Sequence, residues 1–464
     1  MIMVETTRRE FLSGGVAALA FAVPPGGFAR AIPQKEPRLV IGMVADTHHR
    51  AQYYGQGIDP RWSGRYFSKA LEYFRSCKVD AVVHLGDMAH KGLVMEMKDH
   101  AEIWNRIFPG DRRPDGGKVA RIFIDGNHEW WHPNDFTERL YDNDAKLYAD
   151  NVLSSDLAGH WERIWGEKYE GAKHWVVKGF HFFGKGWLTS EAEAAEAMER
   201  QIASLGAVDA PVFVLSHARP YKEMVQTMKR HGNMVAFFGH YHKSAANWSV
   251  LDDVDGVPMV QCPPCRAIGD ALPGPVAGGW TSVTNIGGIE QTGRTEARQG
   301  YVLRVYDDMI AIERHEFSQG GRLGADWALP LGWRTGKHPF SKGELKKVIG
   351  EPQFPKGAKL TIELSRAESQ SRRVVRIPLA NGNPDSRVFA YEAVVVGDAG
   401  APKYRKAIYA VGCSMGVGHE PNKGVTLLEI PKAELPEGKE LTIAVRPVTS
   451  LGTVGRAIAA KFKV

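Results

Sequence analysis

At 464 residues the chain exceeds the ~250–300 at which a single core stops growing, so two domains are expected. Its 43% hydrophobic, 24% charged and 10% aromatic residues exclude collagen, coiled coil and disorder and suit a protein with a large core. The 59 Lys and Arg against 53 Asp and Glu leave a net +6 too diffuse to argue for a nucleic-acid duplex as partner, whereas 17 His against 4 Cys raise metal or proton chemistry.

The chain opens with Thr7-Arg8-Arg9-Glu10-Phe11-Leu12-Ser13, a small and apolar run over 14–23, and Ala29-Arg30-Ala31. This charged start, apolar middle and A-x-A end resembles a bacterial twin-arginine (Tat) export signal over 1–31, cleaved after Ala31. The run is shorter than the ~18 apolar residues a span requires, and Pro24-Pro25 breaks any helix, so no transmembrane segment is expected in the mature chain.

From 37 onward short β-rich runs alternate with amphipathic segments, the pattern of an α/β layer architecture. Five strand-length runs end in polar clusters: 39–44 before Asp46, 81–85 before Gly86-Asp87, 119–124 before Gly126-Asn127-His128, 212–215 before His217 and 235–238 before Gly239-His240. Helices are expected over about 65–77, 93–108 and 191–205, the last with Ala194, Met198, Ile202 and Leu205 on one face. Strands return at 301–306 and 309–313 around an Asp307-Asp308 turn, and the Gly/Pro-rich stretch 319–355 reads as a linker between a domain over 37–318 and a second over 356–464. Seven short strands follow, at 359–364, 373–377, 387–396, 404–411, 425–430, 441–448 and 457–464, which suggests an all-β sandwich. Its last strands, Leu441-Thr442-Ile443-Ala444-Val445 and onward to Ser450-Leu451-Gly452, resemble the end of a fibronectin type III or immunoglobulin-like module.

Collected, the strand-end clusters are Asp46-Thr47-His48, Gly86-Asp87, Gly126-Asn127-His128-Glu129, His217 and Gly239-His240-Tyr241-His242. Residues carried at the carboxyl ends of successive strands converge on one crevice. Mixed oxygen and nitrogen donors without thiolate suit Mn, Fe, Co or Zn better than Cu(I) or an iron–sulfur cluster. The ordered set D-x-H, G-D, G-N-H-E, H and G-H-x-H resembles the calcineurin-like metallophosphoesterases. That resemblance implies a four-layer α/β/β/α sandwich holding two transition-metal ions (Mn, Fe or Zn) and acting on a small phosphate-ester substrate, a mono- or diester. It implies Asp87 as the bridging ligand, Asp46, His48 and His242 on one metal, and Asn127, His217 and His240 on the other. His128, the motif histidine without a metal, is implied as the general acid for the leaving oxygen, after attack by a metal-bridging hydroxide.

The segment Gly86-Asp87-Met88-Ala89-His90-Lys91-Gly92 departs from the G-D-x-x-D-R-G of the family's protein phosphatases, which argues against that activity. Purple acid phosphatases carry D-x-G and a Tyr where this chain has His48 and His90, so their coloured iron-tyrosinate site is expected to be absent. Lys91 and Arg219, beside ligand-bearing loops, are candidate substrate contacts. Glu129 is expected to orient the His128 loop, His49 to point away, and Trp130, Trp131 and Trp187 to pack in the core. Cys262-Pro263-Pro264-Cys265 lacks a second ligand pair for zinc, and both a local disulfide and two free buried thiols remain open. The expectation is an exported phosphoesterase, periplasmic or extracellular, of undetermined oligomeric state. The alternative is an inactive metal-binding or interaction protein on the same fold.

Overall fold

The computed structural model describes residues 35–49, 64–131, 149–205, 209–266, 268–269, 297–331, 340–367, 370–381, 388–397 and 402–464. The export segment over 1–31 and most of the Gly/Pro-dense stretch after 269 lie outside the described residues.

Two six-stranded sheets stack face to face. In the first, β1 (Leu39–Val44), β2 (Ala81–Leu85) and β3 (Ala120–Ile124) run parallel, and β10 (Gln299–Val305), β11 (Met309–Glu316) and β12 (Trp327–Pro330) extend it antiparallel beyond β1. In the second, β5 (Phe180–Lys185), β6 (Val212–Ser216), β7 (Met234–Phe238) and β9 (Val257–Gln261) are parallel. Antiparallel β4 (Ala172–Val177) and β8 (Leu251–Val254) form its edges. Strands buried on both faces need near-continuous apolar runs, which is why AVVHL and VFVLS form central strands.

Ile41, Met43, Val83, Leu85 and Ile122 of the first sheet meet Phe182, Phe213, Leu215, Val235 and Phe237 of the second in one core. On the outer face of the first sheet, α1 (Arg65–Ser76), α2 (Val94–Ile107) and α3 (Leu157–Trp165) pack through Phe67, Phe74, Trp104 and Trp161. On the outer face of the second, α4 (Glu191–Leu205) and α5 (Lys222–His231) pack through Ala194, Met198, Met224 and Met228. The layers are therefore α/β/β/α. No helix among the described residues is long and apolar enough to cross a membrane.

The stretch 319–355, expected as a linker, instead carries β12 and α6 (Lys342–Ile349). Leu323, Trp327, Leu329, Phe340, Leu345 and Ile349 enter the inter-sheet core, each at most 1% exposed. Apolar positions at strand and helix spacing outweigh the Gly/Pro content, and the Arg314 guanidinium lies 4.4 Å over the Trp327 ring.

The C-terminal region is all-β. Strands β13 (Thr361–Ala367), β14 (Gln370–Ile377) and β17 (Thr426–Pro431) form a three-stranded sheet. A four-stranded sheet is ordered β16 (Pro402–Tyr409), β15 (Ala390–Val396), β18 (Glu440–Val448) and β19 (Ile458–Lys463). Their shared core includes Val375, Ile430, Tyr391, Val395, Ile443 and Val445. This unit docks on the segment that follows β7. Gln299 Oε1 accepts from the Ala245 N–H at 2.8 Å while its Nε2 donates to the Ser414 carbonyl at 2.6 Å, and the Trp248 N–H donates to Ser450 Oγ at 2.9 Å.

Candidate metal centre

Each parallel strand delivers its next residues to the same crevice between the sheets. The loop after β1 brings Asp46 and His48, that after β2 Asp87, that after β3 Asn127 and His128, that after β6 His217, and that after β7 His240 and His242. The loops fit because two glycines let backbones meet. A Cβ on Gly86 (φ 88°) would lie 2.8 Å from the Gly126 nitrogen, and one on Gly126 would lie 2.3 Å from Asp87 Oδ1.

Asp46 (φ 51°), His48 (44°), Asp87 (56°), His240 (71°) and His242 (51°) all occupy the left-handed region. Each costs roughly 1–3 kcal/mol and persists only where the surroundings hold it. The alternating residues in D-x-H and H-x-H are thus not extended, as simple i, i+2 reasoning expects. Both side chains of each pair are aimed by positive φ. The restraints are visible: the His240 N–H donates to Asp46 Oδ2 at 3.0 Å, and the His48 N–H to the Asp87 carbonyl at 2.9 Å. Glu129, fully buried, accepts from the N–H groups of Gly126 (2.7 Å), Ala89 (2.8 Å) and Asp87 (3.0 Å) and so clamps the β2 and β3 loops together. Thr47 Oγ1 lies 3.0 Å from His84 Nε2 and 2.9 Å from His100 Nε2, a buried pair that anchors the first loop from below.

Two groups of ligand atoms result, each with its members within 4.8 Å of one another: Asp46, His48 and His242, and Asp87, His217 and His240. Asp87 Oδ2 lies 3.4 Å from His48 Nε2 and 3.3 Å from His217 Nε2, between the two groups. Asn127 Oδ1 lies 3.0 Å from His217 Nε2 and 3.1 Å from His240 Nδ1, inside the second. Imidazole nitrogens face each other at 3.0 Å (His48 and His242) and 3.2 Å (His217 and His240). A shared cation satisfies both lone pairs of such a pair, and the buried carboxylates of Asp46 and Asp87 supply the negative charge. The residues present therefore fit transition-metal ions.

Electrostatics within the cluster are strongly coupled. Burial alone would raise the Asp87 carboxyl and lower the His217 imidazole, but their mutual attraction wins, so Asp87 is held low and His217 high. Burial pushes His48 well down, and pushes His128 down against the pull of Asp87. His128 Nδ1 donates to the His90 carbonyl at 2.7 Å, which leaves Nε2 facing the cluster, 3.8 Å from Asp87 Oδ2.

Of the flanking candidates, Lys91 Nζ stands 5.2 Å over the Trp131 ring, whose centroid is 4.3 Å from that of His128. Arg219 is ion-paired with Asp252. His49 turns away to Asp99 at 2.9 Å. Trp187 is not core filler: its ring lies 5.7 Å from His217 and 5.5 Å from His240, and its N–H donates to Asp125 at 3.0 Å. Trp131 is 42% exposed at the rim, and only Trp130, donating to Asp125 at 2.6 Å, is set inward. Cys262 and Cys265 are free, buried thiols, both pushed up by burial. Asp125, a buried acceptor for both tryptophans and for Tyr169, went unread in the sequence because it stands between strand and motif without a spacing of its own.

Residues 39–244 match the calcineurin-like phosphoesterase family. A search of curated protein sequences finds no match. Among solved structures, a purple acid phosphatase from yellow lupin (Lupinus luteus) seeds is 13% identical with a TM-score of 0.40, covering 65% of this chain and 56% of its own. The chain thus spans little more than half of that phosphatase. Zinc-complexed Vps29 from Entamoeba histolytica is 10% identical with a TM-score of 0.25, covering 63% of this chain and 99% of its own. These scores carry no functional argument. The calcineurin-like phosphoesterase domain and its two ligand groups stand on the family match and the geometry.

His217 must lose its proton to bind a cation, and Asp87 holds that proton on. Metal uptake by the apo protein should therefore release a proton and tighten as pH rises from about 6 to about 9, past the point where an ordinary imidazole is already neutral. Calorimetry in buffers of different ionisation enthalpy checks this; affinity flat above about pH 7 would contradict the assignment.

Proposed function

We propose that the protein is an exported, dinuclear metal-dependent phosphoesterase that hydrolyses small phosphate esters. The observation that carries this reading is the pair of ligand groups flanking Asp87 with His128 Nε2 turned toward the same space. Asp46, His48 and His242 would hold one ion and Asn127, His217 and His240 the other, with Asp87 between them. Bound ions would supply Lewis-acid charge to the phosphoryl oxygens and lower the pKa of water there.

The remaining work falls to the chain's own residues. His128 delivers a proton from Nε2 to the departing ester oxygen, and its Nδ1 bond to the His90 carbonyl fixes the tautomer and aims the ring. Trp131 and Trp187 wall the two sides and exclude water, and Lys91, held over Trp131, keeps a cation at the rim. Arg219, committed to Asp252, is the weaker candidate for substrate contact.

His128→Ala should keep both metals and lose about 10²–10⁴-fold in kcat on an alkyl phosphate, but far less on an aryl ester whose leaving group needs no proton. Metal content and the two rates measured together decide it. Equal losses on both esters, or loss of metal, would show that His128 is not the acid, and no turnover of either ester by the metal-loaded wild type would favour the binding-protein alternative.

Export rests on Arg8-Arg9 ahead of the apolar run. Replacing both by Lys should retain the full-length precursor in the cytoplasm when expressed in a Tat-competent bacterium. Unchanged delivery to the periplasm or medium would refute that route.

A further inference from the structure

Every parallel strand of the second sheet feeds the crevice, and β9 is the one whose contribution the motif set leaves blank. It ends at Gln261, and the chain then runs Cys262-Pro263-Pro264-Cys265-Arg266. Pro264 forms a parallel bridge with Ala45, and the Cys265 N–H donates to the Ala45 carbonyl at 2.8 Å, one residue before Asp46. Three residues after Arg266, the Gly269 N–H donates to the His242 carbonyl at 2.8 Å. The segment carrying Arg266 is therefore pinned at one end beside Asp46 and at the other on His242, both members of the first ligand group. Behind it, Cys265 is buried and Ile268 packs on Ala297 and on Met415 of the C-terminal domain, so the half-buried Arg266 is presented by a braced segment.

The electrostatic environment indicates which side it faces. After burial, Arg266 is the leading influence that lowers His48, and it also acts on His128, but it is not among the principal influences on His217 or His240. Its guanidinium thus lies toward the His48 and His128 side. A permanent cation there adds to the charge of ions bound by the ligand groups, and a phosphoryl anion arriving between them relieves that repulsion.

We propose that Arg266 binds a non-bridging phosphoryl oxygen of the substrate and thereby makes phosphate monoesters the preferred class. This rests on the phosphoesterase reading. A monoester has three non-bridging oxygens and a diester two. With two oxygens directed toward the two ligand groups, only a monoester has a third to offer Arg266. The planar fork of guanidinium suits that contact better than the point charge of an ammonium.

The test compares wild type with Arg266→Gln and Arg266→Lys, each metal-loaded, on an aryl phosphate monoester and the matching diester. Inorganic phosphate binding is measured calorimetrically on the same samples. For Arg266→Gln, kcat/KM on the monoester should fall about 10–100-fold with little change on the diester, phosphate affinity should fall by a similar factor, and metal content should be unchanged. Arg266→Lys should show the same selectivity at smaller size, and it is the variant read if the Gln form misfolds or loses metal. Equal losses on both esters, or unchanged monoester kinetics and phosphate affinity, would overturn the proposal. If the wild type turns over neither ester, the phosphoesterase reading fails, whereas the phosphate titration still decides whether Arg266 binds the anion.

Discussion

Asp87 is a carboxylate at 2% exposure, held in a left-handed backbone conformation, with imidazoles on either side at 3.3 and 3.4 Å. Taking such a charge out of water is expensive unless it is paired and hydrogen-bonded, and everything around it serves that end. The His128 N–H donates to its Oδ1 at 2.9 Å, Glu129 holds its backbone N–H, and Gly86 and Gly126 clear the space that lets these contacts form. The same pairing keeps His217 protonated in the absence of metal. Proton and cation thus compete for one group, and the fold is arranged so that either occupant compensates the buried charge.

Two parallel sheets back to back make this centre buildable. Each strand ends at the same edge, so six short loops can place side chains within a few ångströms without any loop being long. Those loops are strained, and the strain is carried by ties between neighbours: Asp46 to His240, Glu129 to three amides, Thr47 to two buried histidines. The C-terminal β unit joins the same scheme. Through Gln299 it grips Ala245, three residues past His242, and through Met415 it backs the segment after β9. Its position makes it a brace for the first ligand group as well as a second core.

Much of this was legible in the sequence. The apolar runs marked β1, β2, β3, β6 and β7, the apolar spacing marked α4 end to end, and all seven C-terminal strands were readable from alternation and turn residues. The ligand residues were readable because each follows a strand directly. Two hairpins were missed although Lys178-Gly179 and Asp255-Gly256, both at positive φ, turn them tightly. The second hid because Pro258 stands inside β9, a residue that argues against a central strand; it precedes the Ala236–Met259 pairing with β7 and so costs that ladder nothing. Missing β9 meant missing Arg266. Composition misled over 319–355, where six apolar side chains outweigh the glycines and prolines. Left-handed φ at five non-glycine residues has no local signature, since it is imposed by tertiary contacts.

The central claim is that the strand-end loops hold two cations astride Asp87. A crystal structure of the Mn²⁺-loaded protein with data at the manganese absorption edge tests it most directly. Two anomalous peaks are expected, one among Asp46, His48 and His242 and one among Asn127, His217 and His240, both in contact with the Asp87 carboxylate. A single peak, or two that do not share Asp87, would contradict the account.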